Sequence, residues 1–288
     1  MLTVRTEEDL RREVALQRAE GKTIGFVPTM GALHDGHLSL VRLARRHADR
    51  VVASVFVNPA QFGPGEDYAR YPRQPERDGE LLEDAGCDLL FLPEVETIYP
   101  PGHSTIVDLG EPALGLEGDF RPGHFRGMAT VVCALLNLVR ADVAVFGEKD
   151  AQQLAVVRRM VRDLHLQVEI VAAPTIREAD GLAMSSRNVY LAGEERRAAT
   201  VLYRALRSAQ GAIEKGERRG DEVRRLLREV LAAEPRARVE YAEVVDAVSF
   251  RPVDALSGRV VLPLAARLGA TRLIDNVQLA VGDGRLRE

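Results

Sequence analysis

Cysteine is scarce in this sequence, and its placement excludes several classes of protein. The 288 residues include two cysteines, Cys87 and Cys133, which are far apart and each lie within an apolar run. Disulfide frameworks and cysteine-based metal sites need several cysteines at close or regular spacing. The pattern therefore indicates buried free thiols in a reducing compartment.

An excess of positive charge and long hydrophobic runs are also missing. With 39 Lys and Arg against 43 Asp and Glu, the formal net charge is −4. This balance disfavours general binding to nucleic acid or to a membrane surface, because both attract basic proteins. No apolar stretch approaches the roughly 20 residues that span a bilayer, and the N-terminus lacks the plan of a signal peptide. We therefore expect a cytoplasmic protein without nucleic-acid or membrane partners.

What the sequence does contain is typical of an ordinary globular protein. Hydrophobic residues make up 46% of the chain and charged residues 28%, and short apolar runs alternate with Gly, Pro and charge, which argues against disorder. Since domains usually have about 100–200 residues, the length favours one large domain and one smaller domain.

The chain up to residue 175 predicts an α/β fold. Five short runs there are apolar on both faces, as strands of a buried parallel sheet are. Helical patterns fall between them, so we predict a doubly wound parallel sheet. The predicted strands cover residues 24–27, 51–57, 88–92, 142–146 and 168–171, and the predicted helices cover a capped segment after Thr6 and residues 37–48, 75–85, 124–140 and 150–164.

After Pro174 the sequence pattern changes. Two charged amphipathic helices are predicted at 193–215 and 220–233, followed by three strands at 239–246, 258–264 and 271–279. Helices followed by a run of strands are typical of a separate α+β unit. We therefore predict two domains, a ligand-binding domain of residues 1–175 and a smaller α+β closing domain of residues 176–288.

The loop after the first predicted strand lies where ligands of open α/β sheets bind. Residues 28–37 read Pro-Thr-Met-Gly-Ala-Leu-His-Asp-Gly-His and lead into a helix, whose N-terminus attracts phosphate. Gly31 and Gly36 allow the backbone to approach a ligand closely. His34 and His37 are suited to donate hydrogen bonds to phosphate oxygens. Alternatively they are turn and helix-cap residues, whereas a zinc pair is disfavoured because nothing nearby offers the remaining ligands.

Three later segments carry further candidates. Gln61 offers a donor and an acceptor to a hydroxy acid, and Gln153 projects from a predicted helix toward the same crevice. Lys149 can neutralise phosphate, and Asp150 sits where a helix N-cap or a ribose contact belongs. Arg187 follows two serines and can grip phosphate oxygens with its forked guanidinium. Taken alone, each of these is also compatible with an ordinary loop or a capped helix.

Taken together and in this order, five motifs resemble those of the pantothenate synthetase family. The resemblance covers nearly the whole chain and includes a C-terminal run from Arg272 to Asn276. The presence of all five motifs in one chain is far more specific than the presence of any one motif. The motifs are Pro-Thr-Met-Gly-Ala-Leu-His-Asp-Gly-His at 28–37, Asn-Pro-Ala-Gln-Phe-Gly at 58–63, Arg-Pro-Gly-His-Phe-Arg-Gly at 121–127, Gly-Glu-Lys-Asp at 147–150 and Met-Ser-Ser-Arg-Asn at 184–188.

The resemblance implies a reaction, cofactors and partners. Members of this family join pantoate to β-alanine with ATP and release AMP and pyrophosphate through an enzyme-bound pantoyl-adenylate. They are magnesium-dependent, typically homodimeric enzymes of coenzyme A biosynthesis. Their N-terminal domain is Rossmann-like and belongs to the nucleotidyltransferases with a His-x-Gly-His signature. We therefore expect ATP and Mg²⁺, the substrates pantoate and β-alanine, and a homodimer.

The resemblance also implies site residues. His34 and His37 are expected to stabilise the adenylation transition state, with His37 as proton donor, and Lys149 and Arg187 are expected to be catalytic too. The magnesium ligands stay unknown, and Asp78 is the candidate carboxylate although its helix favours a surface position. The implied ATP contacts are Met30, Gly31, Ala32, Leu33, His34, Asp35, Gly36, His37, Gly147, Glu148, Lys149, Asp150, Ile176, Met184, Ser185, Ser186 and Arg187, and the implied pantoate contacts are Gln61 and Gln153.

Two positions depart from the family's pattern, and two other functions stay open. Ala151 stands where a tyrosine is usual and Ala134 where a lysine is usual, which bears on local packing and electrostatics. A nucleotidyltransferase acting on a phosphorylated alcohol would share the His-x-Gly-His loop, but it would not need Gln61 and Gln153. A catalytically silent nucleotide-binding protein would share the fold, since fold alone does not prove activity, but the intact Lys149 argues against it.

Overall fold

The first half of the chain is built on a six-stranded sheet in which every neighbouring pair is parallel. The structure is a computed structural model that describes residues 1–282. The strands are β1 (Leu2–Val4), β2 (Ile24–Thr29), β3 (Arg50–Val55), β4 (Leu89–Phe91), β5 (Val143–Gly147) and β6 (Glu169–Ala173). They lie in the order β1-β4-β3-β2-β5-β6, so the chain winds outward to both sides of β2. This order confirms the predicted doubly wound, Rossmann-like sheet.

Strand β1 is absent from the sequence-based prediction. It has three residues, it pairs with β4 at the edge of the sheet, and Leu2 is 48% exposed. Such a short run carries no periodic hydrophobic signal, so its pairing is a tertiary effect.

Helices cover both faces of this sheet. They are α1 (Glu7–Ala19), α2 (Asp35–His47), α3 (Pro75–Asp84), α4 (Val95–Ile98), α5 (Glu117–Phe120), α6 (His124–Val139) and α7 (Ala151–Asp163). Alternate strand residues belong to different cores, with Phe26 on one face and Val27 on the other. The first core includes residues of α1, α6 and α7, and the second includes residues of α2 and α3.

The second half forms a smaller antiparallel sheet with helices. The helices are α8 (Gly193–Ala198), α9 (Val201–Glu214) and α10 (Gly220–Ala232), and the strands are β7 (Ala237–Ala242), β8 (Val245–Asp246), β9 (Gly258–Leu268) and β10 (Thr271–Val281). The sheet order is β10-β9-β7, with β8 also paired to β9. A third core lies between this sheet and its helices. The expected α+β character is confirmed, while residues 283–288 of the predicted C-terminal domain lie outside the described residues.

Two predicted elements of this half are wrong in detail. The single helix predicted at 193–215 is broken between α8 and α9, where the Thr200 hydroxyl donates to the Arg197 carbonyl at 2.9 Å and competes with the helical ladder. The strand predicted at 239–246 is two strands, β7 and β8, which both pair with β9, and the pairing of β7 itself shifts register between Val239 and Tyr241. Within residues 1–282, no helix is long and apolar enough to cross a membrane.

Candidate active site

The carboxyl ends of four strands open into one cavity. Strands β2, β3, β5 and β6 are neighbours and parallel, so the loops that follow them meet at the same edge of the sheet. The segment from Met184 to Arg187, here called the closing segment, also lines the cavity between these loops. We call this cavity the sheet-edge cavity. Of the residues that the sequence picks out, it is lined by Met30, His34, Gly36, His37, Gln61, Gly147, Lys149, Asp150, Gln153, Ile176, Met184, Ser185, Ser186 and Arg187.

The loop after β2 is held in a left-handed conformation by a buried carboxylate. Gly31 has φ 80° and Ala32 has φ 51°. The Asp78 carboxylate accepts hydrogen bonds from the backbone N–H groups of Ala32 at 2.9 Å and Leu33 at 2.8 Å. A Cβ atom at Gly31 would lie 2.8 Å from the same carboxylate, which explains the glycine. Asp78 therefore shapes the loop from inside.

This placement corrects the expectations for Asp78. The residue is 1% exposed, so it is not a helix-surface carboxylate. Its two oxygens each accept a backbone N–H, so the carboxylate is engaged in holding the loop after β2. The sequence favours a surface position because α3 is charged, but the loop after β2 needs an internal acceptor, and Asp78 supplies it.

His34 and His37 form a stacked pair at the start of α2. Their ring centroids are 4.1 Å apart with a tilt of 42°. Nδ1 of His34 accepts from the Gly36 N–H at 3.1 Å, so a neutral His34 carries its proton on Nε2. A Cβ at Gly36 would lie 2.8 Å from the His34 ring, so this position requires glycine. His34 is thus a helix cap and a cavity residue together, and the two interpretations of it are compatible.

Burial keeps both imidazoles neutral. Desolvation, followed by the charge of Lys149, lowers the pKa of His34 to about 4. Desolvation, followed by the nearby His34 and Lys149, lowers the pKa of His37 to about 3. The buried Nδ1 of His37 has no hydrogen-bond partner among the described protein atoms. At neutral pH the pair therefore offers N–H donors without positive charge.

Gln61 is oriented by a chain of hydrogen bonds that runs from Tyr99 through Asn58. It ends a short 3₁₀ turn, Pro59–Gln61, and is 7% exposed. The Asn58 amide donates to Gln61 Oε1 at 3.0 Å, and the Tyr99 hydroxyl donates to Asn58 Oδ1 at 2.8 Å. With the carbonyl oxygen occupied, the Gln61 amide N–H groups are the part that faces the cavity, where Nε2 lies 3.0 Å from the Met30 sulfur.

Gln152 and Gln153 are consecutive in α7 but have different environments. Gln152 is buried and donates to the carbonyls of Pro112 and Gly115 at 3.0 and 3.1 Å. Gln153 lines the sheet-edge cavity with Gln61. The cavity therefore receives one glutamine from each side, while Gln152 fixes the segment before α5.

Lys149 and Asp150 occupy the turn between β5 and α7. The Lys149 ammonium lies 3.9 Å from the Asp150 carboxylate, and the Asp150 side chain is 48% exposed. Asp150 is at the N-cap position of α7, but its side chain makes no cap hydrogen bond. Asp150 therefore stands at the predicted N-cap position, but its side chain does not cap the helix, and the residue lines both the sheet-edge cavity and the one beside it.

The closing segment is hydrogen-bonded to the loop after β2 and to Asp67. The Ser186 hydroxyl donates to the Ala32 carbonyl at 3.1 Å. The Arg187 guanidinium donates through Nε and Nη2 to the two oxygens of Asp67, both at 2.9 Å. This forked pairing shows that the guanidinium is presented in the geometry that suits a carboxylate or a phosphate group.

Several expected ATP contacts do not line the sheet-edge cavity. Leu33 is buried and Asp35 is exposed to solvent. The Glu148 carbonyl accepts a hydrogen bond from Asn276 of the C-terminal sheet. The residues of this group are Gly31, Ala32, Leu33, Asp35 and Glu148.

Sequence reasoning assigned no role to Arg121 and His124, although their motif is part of the family resemblance. Arg121 donates to both oxygens of Glu66 at 2.8 Å and its Nη1 lies 3.1 Å from His124 Nε2. Because arginine can only donate, His124 Nε2 accepts and its Nδ1 donates to the Gln61 carbonyl at 3.0 Å. Burial, followed by the Arg121 charge, lowers the pKa of His124 to about 4, in agreement with this neutral form.

A second cavity adjoins the first and reaches the C-terminal sheet. The two share Arg121, Lys149, Gln153 and Arg187 in their linings. The second is bounded on its other side by residues of β7 and β10, including Tyr241 and Arg272. A ligand in the sheet-edge cavity therefore has a polar neighbouring space from which a second molecule can approach.

The geometry suits charge neutralisation and positioning of a polyphosphate beside a small polar acid. Neutral N–H donors come from the stacked imidazoles, and positive charge comes from Lys149 and Arg187. The Ser186 hydroxyl is engaged with a backbone carbonyl, and the two cysteines lie outside the lining of the cavity. The arrangement therefore favours direct transfer between bound substrates over a covalent enzyme intermediate.

Comparison with known proteins places this geometry in a family. The family model described as "Pantoate-beta-alanine ligase" matches residues 2–278. The chain is 54% identical over 281 residues to the pantothenate synthetase of Heliobacterium modesticaldum, covering 96% of this chain and 100% of the relative. It is 56% identical over 257 residues to that of a Roseiflexus species, covering 89% and 92%.

Solved structures agree. A crystal structure of pantothenate synthetase from Thermus thermophilus has a TM-score of 0.91 at 53% identity, covering 96% of this chain and 99% of that chain. A pantoate-β-alanine ligase from Francisella tularensis, complexed with β-γ ATP and β-alanine, has a TM-score of 0.76 at 33% identity and covers 96% and 97%.

Proposed function

This chain belongs to the pantoate–β-alanine ligase family, and on that premise we propose that it condenses (R)-pantoate with β-alanine to give pantothenate, AMP and pyrophosphate through an enzyme-bound pantoyl-adenylate. This is the reaction of an AMP-forming carbon–nitrogen ligase in pantothenate and coenzyme A biosynthesis. The observation that carries the proposal is one cavity that combines the neutral pair His34 and His37, the cation Lys149, and two facing glutamines, Gln61 and Gln153.

ATP is proposed to lie along the loop of residues 30–37 and the turn of residues 147–150. The N-terminus of α2 presents the positive end of its helix dipole to the phosphates. Ile176 lies at the rim of the cavity, where it is 36% exposed, and offers an apolar surface to adenine. The segment from Met184 to Arg187 closes over the triphosphate, with Arg187 exchanging Asp67 for phosphate oxygens.

In the proposed first step, a pantoate carboxylate oxygen attacks the α-phosphorus. The bond from that phosphorus to the bridging oxygen breaks, and pyrophosphate leaves with the bonding electron pair. Gln61 and Gln153 hold the pantoate, which supplies the alignment that an in-line displacement needs. Negative charge grows on the phosphate oxygens, and His34 Nε2–H, His37 and Lys149 are the groups proposed to stabilise it. As a neutral imidazole, His37 acts by donating a hydrogen bond.

In the proposed second step, the free amine of β-alanine attacks the acyl carbon of the mixed anhydride. The bond from that carbon to the AMP oxygen breaks, and AMP leaves with the bonding electron pair. The amide bond forms, and the proton lost by the nitrogen passes to the AMP phosphate or to solvent. The cavity beside the C-terminal sheet is the proposed approach for the amine. Closure by the segment from Met184 to Arg187 excludes water, which would otherwise hydrolyse the adenylate.

Mg²⁺ is proposed to accompany the ATP phosphates. Magnesium is usually bound by one or two carboxylates together with substrate phosphates, and a cage of protein ligands is not required. Within residues 1–282, no group of three or more His, Cys, Asp or Glu side chains is placed to hold a metal ion. The Asp150 carboxylate is half exposed and lines both cavities, so it fits this role. A bound magnesium ion would supply neutralisation of the phosphate charge.

Family membership supports three further proposals. We propose that the enzyme works in the cytoplasm and as a homodimer. We also propose that residues 1–175 act as the domain that binds ATP and pantoate, and that residues 176–288 act as the closing domain. The sheet of the first part and the sheet of the second part have separate cores, which supports this division.

The function is tested by measuring AMP release from the purified protein with ATP, Mg²⁺, pantoate and β-alanine, omitting one organic substrate at a time. Sustained AMP formation that needs both pantoate and β-alanine supports the proposal. Sustained pyrophosphate release without AMP, with a phosphorylated alcohol in place of pantoate, would favour a different nucleotidyltransferase. ATP binding without AMP formation would favour a silent nucleotide-binding protein.

A further inference from the structure

An amide from the C-terminal sheet holds the turn that carries Lys149. Asn276, on β10, is 5% exposed. Its Nδ2 donates to the carbonyl of Glu148 at 2.9 Å and to the carbonyl of Lys149 at 2.8 Å. One side chain from the second half of the protein therefore fixes two consecutive peptide groups in the first half, next to the sheet-edge cavity.

The neighbouring residue, Asp275, anchors the segment that closes the cavity. Asp275 is 3% exposed and accepts from Arg177 Nη1 at 2.6 Å and Arg177 Nη2 at 2.9 Å. Arg177 also donates to the Asn276 carbonyl at 3.2 Å and to the Gly181 carbonyl at 3.1 Å. Its guanidinium lies 4.1 Å from the centre of the Tyr203 ring on α9. The buried carboxylate is thus fully paired, and the arginine is fixed from several sides.

Arg177 is at the base of a short hairpin that ends in the closing segment. It forms an isolated antiparallel bridge with Ala183, and the Met184 N–H donates to the Ile176 carbonyl at 3.0 Å. The chain continues from Met184 directly into Ser185, Ser186 and Arg187. The Lys149 turn is therefore attached to Asn276, and the hairpin that leads into the closing segment is attached through Arg177 to Asp275 and Asn276.

We propose that Asn276 is a positioning residue for Lys149, and that the Arg177–Asp275 pair holds the closing segment in the same frame. The inference rests on the proposed function, since Lys149 is there assigned to the transferring phosphate. A lysine side chain is long and flexible, so its backbone must be fixed for its ammonium to meet a small target. Displacement of a catalytic group by about 1 Å can lower a rate by about 100-fold.

Asparagine suits this role because its amide offers two N–H donors to two carbonyl oxygens. Asn276→Ala removes both donors and leaves the two carbonyls without them. The isosteric Asn276→Asp keeps the shape but replaces the donors with a carboxylate that repels the carbonyl oxygens. Both substitutions loosen the Lys149 turn and leave the lining of the sheet-edge cavity unchanged.

The experiment compares adenylate formation in a single turnover with ATP, Mg²⁺ and pantoate, without amine, in five proteins: unmodified, Asn276→Ala, Asn276→Asp, Lys149→Ala and the Asn276→Ala, Lys149→Ala double variant. We expect Asn276→Ala to lower the rate about tenfold and to leave the pantoate dissociation constant unchanged. In the Lys149→Ala background the same substitution should change the rate less than about twofold, because residues that act through one another are not additive. Asn137→Ala is the matched control, since Asn137 is exposed and its amide also donates to a backbone carbonyl.

Three results would overturn the proposal. An unchanged rate in Asn276→Ala would show that Asn276 does not position Lys149. An equal loss of rate with Lys149 present and with Lys149→Ala would show that Asn276 is a general structural residue. Loss in Asn276→Ala with full activity in Asn276→Asp would exclude the hydrogen bonds as the cause. If the unmodified protein forms no adenylate, the proposed function fails instead. In that case the ATP affinities of the same set of variants, measured by calorimetry, test separately whether Asn276 positions Lys149.

Discussion

The imidazole rings of His34 and His37 lie 4.1 Å apart, centroid to centroid, and burial keeps both neutral. One backbone hydrogen bond, from the Gly36 N–H to His34 Nδ1, decides which nitrogen of His34 carries the proton. The site is therefore arranged as a set of N–H donors, with its positive charge supplied by Lys149 and Arg187. Two charged imidazoles at this distance would repel each other, so neutrality is a condition of the stacking.

This neutrality predicts the dependence of stability on pH. The pKa of His34 is lowered to about 4 and that of His37 to about 3, while an unfolded histidine titrates near 6.5. Below pH 6.5 the unfolded chain binds protons that the folded chain does not. Lowering the pH therefore lowers the free energy of unfolding, by about 2 kcal/mol per histidine at pH 5. Urea unfolding at pH 7, 6 and 5 measures this slope. His37→Gln should make it shallower, and an unchanged slope in that variant would contradict the buried neutral state.

The assignment of charge stabilisation to His37 and Lys149 predicts a loss of rate without a loss of fold. His37→Ala and Lys149→Ala should each slow adenylation by a factor of about 100 or more, since each removes a donor that acts mainly in the transition state. Single-turnover reactions quenched at successive times measure the rate of adenylation. Circular dichroism with urea unfolding checks the fold. Near-normal turnover in both folded variants would disprove the site assignment.

The position of Asp78 predicts a structural defect and no change in metal dependence. Asp78→Ala leaves the N–H groups of Ala32 and Leu33 without their acceptors, and a buried unsatisfied donor costs about 1–3 kcal/mol. We expect lower stability and a higher KM for ATP, with an unchanged Mg²⁺ concentration at half-maximal activity. Asp78→Asn, which keeps one acceptor oxygen, should be milder. Unchanged stability with a raised Mg²⁺ requirement would instead make Asp78 a metal ligand.

The two halves of the protein are joined by a buried ion pair, and its loss should destabilise the fold. Arg272, on β10, donates to both oxygens of Glu117, at 2.8 and 2.5 Å, and the Tyr241 hydroxyl donates to the same carboxylate at 2.7 Å. Burial by itself raises the pKa of Glu117, but the hydrogen bonds and charge of Arg272 outweigh it and hold the pKa below its usual value. Arg272→Met breaks this buried ion pair and leaves Glu117 with the Tyr241 hydroxyl and with Arg121 Nη1 at 3.9 Å. Removing one partner of a buried ion pair costs about 3–5 kcal/mol.

Urea unfolding of Arg272→Met at pH 7 checks this loss, and Tyr241→Phe serves as a milder comparison with a cost of about 1 kcal/mol. Because the folded pKa of Glu117 is depressed, its stabilising contribution is present above the unfolded pKa and is lost as pH falls through the folded pKa. The variant should therefore lose less stability on acidification than the unmodified protein. Equal stability of the two at pH 7 would show that the ion pair contributes nothing.

Much of the fold follows from the hydrophobic pattern, and the failures have local causes. Strands such as β2 and β3 are apolar on both faces because helices cover both sides of the sheet, and this gives a clear signal. The break between α8 and α9 depends on a hydroxyl that bonds to its own backbone, which a hydrophobic pattern does not record. Strand β1 exists because β4 offers it an edge.

The site was predictable where a residue type carries the chemistry, and unpredictable where burial decides the role. His34, His37 and Lys149 stand out in the sequence because phosphate chemistry needs such side chains near a helix N-terminus. Nothing in the sequence distinguishes Gln152, which supports a loop, from Gln153, which lines the cavity. Likewise Asp78 and Asn276 act through backbone groups that are distant in sequence, so their roles become visible only in the packed structure.

The most direct test of the account follows the oxygen atoms of pantoate. If the carboxylate attacks the α-phosphorus and β-alanine then displaces AMP, one carboxylate oxygen is transferred to the AMP phosphate. With pantoate labelled by ¹⁸O in its carboxylate, mass spectrometry of the products should find one ¹⁸O in AMP and none in pyrophosphate. AMP without label, or label in inorganic phosphate, would contradict an acyl-adenylate formed in the sheet-edge cavity.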